Sequence, residues 1–135
     1  MSRVEGLAEI VLWVADVESS LEFYRDRFGL ELMSPPALPN KFLRVADGVG
    51  GIPEMIVLIP HPHADDYFPA HKEKEKRTLH HLAFRVDARA YAELENAFIE
   101  AGIEVRHGVH PVLKGVRTFY VDDPDGNEVE VIGPA

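Results

Sequence analysis

The sequence predicts an α+β domain made of two βαβββ modules whose strands curl into a mixed-sheet cup. Three observations predict it. Glu9–Val14 recurs as His81–Val86 at an offset of 72, and Gly29 recurs as Gly102 at an offset of 73. Each copy opens with an apolar run of strand length followed by an amphipathic helical stretch. After each helix come three strand candidates separated by turn-forming residues. The 135 residues therefore read as one domain, 1–135, built from a module at 1–68 and a module at 78–135 with a charged loop between them.

In the first module, residues 8–16, AEIVLWVAD, form a strand that ends on Asp16, a helix N-cap residue. The helix VESSLEFYRDRF follows, with Val17, Leu21, Tyr24 and Phe28 on one face, and Gly29 ends it. GLELM, KFLRVA and PEMIVLI are the next strands, with Pro35, Pro36 and Pro39 before the middle one and the cluster DGVGG as the turn after it. In the second module, residues 80–87, HHLAFRVD, form a strand, and ARAYAELENAFIEA a helix with Tyr91, Leu94, Phe98 and Ala101 on one stripe. Gly102 ends that helix; GIEVRHG, VRTFYVD and NEVEVIG are strands, the last two joined by the turn DPDG. The joint at 61–79, with His61, His63 and His71 and the mixed-charge run Lys72–Arg77, reads as a solvated connector.

Strand alternation assigns the faces. Ile10, Leu12 and Val14 bed the first helix, leaving Glu9, Val11 and Trp13 on the opposite face. Leu82, Phe84 and Val86 bed the second helix, leaving His81, Ala83 and Arg85 opposite, so Glu9 and His81 are equivalent positions. His80 is expected to point toward the helix layer as a structural residue. In the last strand Glu128, Glu130 and Ile132 share a face, and Val129 and Val131 the other. A carboxylate inside a cup is costly unless it is paired or bound to a cation. Two carboxylates and a histidine can converge there.

Composition excludes several classes. With 14 Lys plus Arg against 23 Asp plus Glu, a net charge of −9, and few basic clusters, nucleic acid and anionic membranes are not expected partners. The absence of cysteine removes disulfides, thiolate metal sites and a cysteine nucleophile. No glycine-rich phosphate loop or serine nucleophile motif is found, and DPDG lacks the spaced ligands of a calcium loop. The N-terminal apolar run is short and interrupted by Glu9 and Asp16, so neither a signal peptide nor a membrane span is expected, and the expected compartment is the cytoplasm.

The doubled plan together with VADVESSLEFYRDRFGLEL, HHLAFRVD and FYVDDPDGNEVEVIG resembles the vicinal oxygen chelate superfamily, which includes glyoxalase, bleomycin and fosfomycin resistance proteins and extradiol dioxygenases. The resemblance covers the chain outside the 61–79 joint. It implies one divalent metal ion (Fe, Mn, Zn or Ni) in the cup. Its ligands fall at Glu9, where the family carries His or Gln, at His81 and at Glu130. A fourth ligand used by some members falls at Ile56 or, in another register, Val57, both apolar, which argues against a four-ligand site. Glu9 or Glu130 could then detach to act as the catalytic base. Trp13, Arg85 and Tyr120 are expected to meet a small-molecule substrate with an apolar body and an oxygen anion. The implied activity is metal-dependent lyase, isomerase or ring-cleaving dioxygenase chemistry; the alternative is a resistance-type protein that sequesters a small molecule without turnover. Homodimers are common in the family, and a homodimer is expected.

Overall fold

The computed structural model of the chain describes residues 3–67 and 77–135. The chain divides into two compact units, Met1–Phe68 and Pro69–Ala135. The two units share one topology.

In the first unit, β1 (Glu9–Val14) leads into α1 (Val17–Leu21), a π-helical turn (Glu22–Arg27), β2 (Glu31–Leu32), β3 (Lys41–Val49) and β4 (Ile52–Pro60), and α2 (Ala64–Tyr67) follows. The sheet order is β1-β4-β3-β2, with β1 parallel to β4 and the other pairs antiparallel. Asp16 caps α1 as expected, accepting from the Glu18 amide at 3.2 Å and from the Ser19 hydroxyl at 2.6 Å. The helix does not keep a uniform pitch: the Phe28 amide reaches the Phe23 carbonyl, five residues back. This widened turn brings Phe23 into the core beside Leu21 and Tyr24, whereas Phe28, expected on the inner stripe, is only half-buried. Gly29 closes the helix with φ +78°.

β3 runs through most of DGVGG. It absorbs the extra residues as register shifts on either side of Ala46, and the reversal itself falls on Gly50 and Gly51, both at positive φ. A Cβ on Gly48 would lie 2.0 Å from the Ile52 carbonyl oxygen, so only glycine fits there. At the joint, α2 occupies a stretch expected to be irregular. The charge run 72–76 and His71 lie outside the described residues.

In the second unit, β5 (Leu82–Arg85), α3 (Ala88–Glu100), β6 (Arg106–Gly108), β7 (Val116–Asp122) and β8 (Glu128–Pro134) give the order β5-β8-β7-β6, again with the outer pair β5 and β8 parallel. β5 is shorter than the predicted 80–87 because its ladder opens at Leu82 opposite Val129, which leaves both histidines just outside the strand. Tyr91 and Phe98 of α3 clamp Phe119 edge-on, with ring centroids at 5.0 and 6.2 Å, over Val121, Val129 and Val131. The Arg117 guanidinium carbon lies 4.1 Å from the centre of the Tyr91 ring and covers this cluster from outside. Leu94 is half-buried and Ala101 exposed, so the inner stripe of α3 narrows to its two aromatics.

Burial follows the predicted alternation. Leu12 and Val14 are buried while Glu9, Val11 and Trp13 are exposed; Leu82 and Phe84 are buried while Ala83 and Arg85 are exposed. No helix among the described residues is long and apolar enough to cross a membrane.

Candidate metal centre

The DPDG turn sets the register on which the centre depends. Asp123 Oδ1 accepts from the amides of Asp125 (2.9 Å) and Asn127 (2.8 Å), and Oδ2 accepts from the Asn127 side chain at 3.0 Å. Gly126 at φ +82° completes the reversal. Outward from this turn, Asp122 pairs with Glu128 and Tyr120 with Glu130. Alternation places Glu128 and Glu130 on the face of the sheet opposite α3, with Tyr120 beside Glu130.

Glu130 is only 3% exposed. A carboxylate so deep needs donors, and two partners meet it among the described residues. His81 Nε2 lies 3.2 Å from Oε1, and the Tyr120 hydroxyl donates to Oε2 at 2.9 Å. Burial, and then the hydrogen bond to the Glu130 carboxylate, raise the Tyr120 pKa, so the phenol stays protonated as the donor. The His81 ring meets the Tyr120 ring edge-on at 5.9 Å. His80 departs from expectation: instead of turning into the helix layer it is exposed, and its Nδ1 lies 2.8 Å from Nδ1 of His81. Both residues precede the first ladder pair of β5, so strict strand alternation does not govern their side chains.

A second polar group adjoins the first. Arg106 Nη2 donates to Asp122 Oδ1 at 2.8 Å and to Glu128 Oε2 at 3.0 Å. Burial alone would lower the Arg106 pKa, but these carboxylates outweigh it and raise it. His80, His81 and Glu128 also each offer a ligand atom within 4.8 Å of the others. Neither His80 nor the Arg106 network was legible beforehand, because both depend on where β5 and β6 begin.

The donor set fits a divalent ion. Two adjacent ligands at about 2.0–2.2 Å from one ion are about 2.8–3.6 Å apart across octahedral and tetrahedral geometries. The 3.2 Å separation of His81 Nε2 and Glu130 Oε1 falls in that range. Tyr120 occupies the other carboxylate oxygen and leaves Oε1 for the ion.

In the first unit, Glu9 projects from the exposed face of β1, opposite Met55. Trp13 shares that face, 54% exposed, with its ring 4.7 Å edge-on to His61. The sheet register decides the fourth-strand position. Val11 pairs with Val57 as Ala83 pairs with Glu130, so the counterpart of Glu130 is Val57 rather than Ile56. Val57 is buried and has no donor atom. Arg85 lines a cavity of about 510 Å³ in the second unit together with Leu113, Val116 and Ile132.

Comparison with known proteins agrees with this architecture. The Glyoxalase/Bleomycin resistance protein/Dioxygenase superfamily profile matches residues 6–131. Among solved structures, a glyoxalase/dioxygenase from Nostoc punctiforme superposes with a TM-score of 0.77 at 24% identity, covering 98% of this chain and 93% of that one. A lactoylglutathione lyase from Agrobacterium tumefaciens gives 0.68 at 25% identity over 98% and 96% of the two chains. An antibiotic binding protein from Streptomyces sp. CB03234 gives 0.65 at 21% over the full length of both. These neighbours span enzymes and binders, so they agree on the fold and differ in what it is used for. The match over residues 6–131, on a chain that repeats one βαβββ topology twice, shows that this protein belongs to the glyoxalase/bleomycin resistance protein/dioxygenase superfamily.

Proposed function

We propose that the protein is a divalent-metal-dependent enzyme acting on a small molecule through two adjacent oxygens, with lyase, isomerase or ring-cleaving dioxygenase chemistry. The observation that carries the reading is the buried Glu130 carboxylate, with one oxygen held by Tyr120 and the other 3.2 Å from His81 Nε2. His81 and Glu130 are the ligands of the second module. Glu9 is the third ligand in this reading, because the superfamily resemblance puts a first-strand ligand there and Glu9 holds the repeat position of His81. The metal, when bound, supplies a Lewis acid and a template for the two substrate oxygens.

The chain's own residues divide the remaining work. Tyr120 tethers Glu130, so that carboxylate stays in place. Glu9 has no partner among the described residues, so of the two carboxylates it is the one that can change from ligand to base and take a proton from substrate. Arg85, also without a hydrogen-bond or ion-pair partner among the described residues, faces an apolar cavity two positions along β8 from Glu130. It suits a substrate whose apolar body ends in an anionic group. Trp13 offers its aromatic face to the same class of molecule.

One observation favours a second reading, sequestration without turnover: His81, Glu130 and Tyr120 satisfy one another with no ion needed. Metal analysis of protein purified without chelator separates the two. The enzyme reading expects near-stoichiometric metal, or a rise in melting temperature on adding Mn²⁺, Fe²⁺, Ni²⁺ or Zn²⁺, and loss of both in His81→Ala. Wild-type protein that takes up none of these ions supports the binder.

A further inference from the structure

We infer that His80 is a positioning residue for His81. The two Nδ1 atoms are 2.8 Å apart and the rings stand at 72° to one another. On its other side, His81 directs Nε2 at Glu130 Oε1, 3.2 Å away. An imidazole has one nitrogen for its ligand and one for an anchor, and the anchor sets both the tautomer and the direction of the ring. The anchor of His81 is therefore a second imidazole.

That choice of anchor has a chemical consequence. A carbonyl or carboxylate anchor only accepts, whereas the Nδ1 of a neutral imidazole either donates or accepts, depending on its own tautomer. Without metal and with both rings neutral, the Glu130 carboxylate accepts a hydrogen bond from the protonated His81 Nε2, so His81 Nδ1 accepts and His80 Nδ1 donates. With Nε2 used as a ligand, the proton of His81 sits on Nδ1, and His80 must accept. The exposed His80 ring allows this exchange: one proton leaves His81 Nε2 for solvent, the shared proton shifts along the Nδ1–Nδ1 bond, and one proton enters His80 Nε2 from water. No net charge is created. His80 thus keeps His81 aimed at Glu130 in both states.

Direct ligation by His80, His81 and Glu128 is the competing arrangement, and the Glu128→Gln variant below tests it. The 2.8 Å between the ring nitrogens is hydrogen-bond length and sits at the short end of the about 2.8–3.6 Å that two adjacent ligands on one ion span.

The inference rests on the metal-dependent reading for its consequence but not for its geometry, and the test has an arm for each. In metal-free protein at about pH 8.5, where free histidine is neutral, long-range ¹H–¹⁵N spectra should show complementary tautomers, with the proton on Nδ1 of His80 and on Nε2 of His81. The His81 proton should be protected from exchange in wild type and in His80→Asn, whose amide offers an oxygen or an N–H in place of Nδ1, and unprotected in His80→Leu. In calorimetric titration with Zn²⁺ and Mn²⁺, His80→Leu should bind about 10–100-fold more weakly, and His80→Asn should recover most of that loss. Identical tautomers on the two rings, or unchanged His81 protection in His80→Leu, would overturn the inference. So would equal loss in His80→Asn, His80→Leu and Glu128→Gln, which would make His80 a ligand. If wild type binds no ion, the metal-dependent reading fails while the metal-free spectra still decide whether His80 anchors His81.

Discussion

Tyr120 and Glu130 are paired residues of β7 and β8, and the tyrosine hydroxyl donates to the glutamate's Oε2 at 2.9 Å. The bond ties one oxygen of a buried carboxylate to the sheet and leaves the other facing His81. Removing it in Tyr120→Phe takes a donor from a buried charged acceptor. The expected cost is about 1.5–3 kcal/mol of stability and about 10-fold or more in metal affinity, checked by urea denaturation of metal-free protein and by metal titration. Unchanged metal affinity would show that the Oε2 bond does not orient Glu130.

Gly108 of β6 packs under the same phenol. A Cβ at this position would lie 2.9 Å from Tyr120 Cε2 and 3.3 Å from Thr118 Oγ1. Gly108 is not at positive φ, so Gly108→Ala tests crowding without backbone strain. It should destabilise by about 1–3 kcal/mol through overpacking and weaken metal binding in the same sense as Tyr120→Phe. The double variant should lose less than the two single losses combined, because both act through one ring. Full additivity in denaturation and titration would disconnect the two.

Asp123 holds the turn that sets the β7–β8 register, accepting from two amides and one side-chain amide. Asp123→Ala leaves buried N–H groups without their acceptor, at about 1–3 kcal/mol for the loss. It should also reduce metal binding through displacement of Glu128–Glu130, whereas Asp123→Asn, which keeps an acceptor oxygen, should retain more of both. Melting curves and metal titration of the two variants give the comparison.

Asp16 supplies a pH dependence. Its pKa is lowered by the hydrogen bond from the Ser19 hydroxyl and then by that from the Glu18 amide. A carboxyl whose folded pKa is depressed contributes its full stabilisation above its unfolded value and loses it as pH falls through the folded value. Asp16→Ala should therefore melt at a lower temperature than wild type near neutrality, with the gap closing below the usual aspartate range. Parallel melting curves across pH check this, and a gap that persists in acid would assign the effect to something other than the charged cap.

Much of the fold was legible because local chemistry carries it. Asp16 caps its helix, Gly29 and Gly102 end theirs at positive φ, and the Asp123–Gly126 turn forms where its residues demand. The face of Glu9, Val11 and Trp13 followed from two-residue alternation alone. The misread places are those where hydrogen-bond pairing overrides the local pattern: the π-helical turn that buries Phe23, the bulged β3 that absorbs the glycine cluster, and the short β5 that frees His80 from alternation.

By itself the sequence carried the doubled βαβββ plan, which follows from period, turn chemistry and a repeat that can be counted, and a resemblance to the superfamily that pointed to Glu9, His81 and Glu130. Only the tertiary structure decided that Tyr120 holds Glu130, that His80 meets His81 rather than the core, and that Val57 stands where a fourth ligand would be. Each of those is a pairing between residues from separate strands or at a strand's frayed start. Such pairings depend on ladder register, and register is set by the whole sheet rather than by any segment read alone.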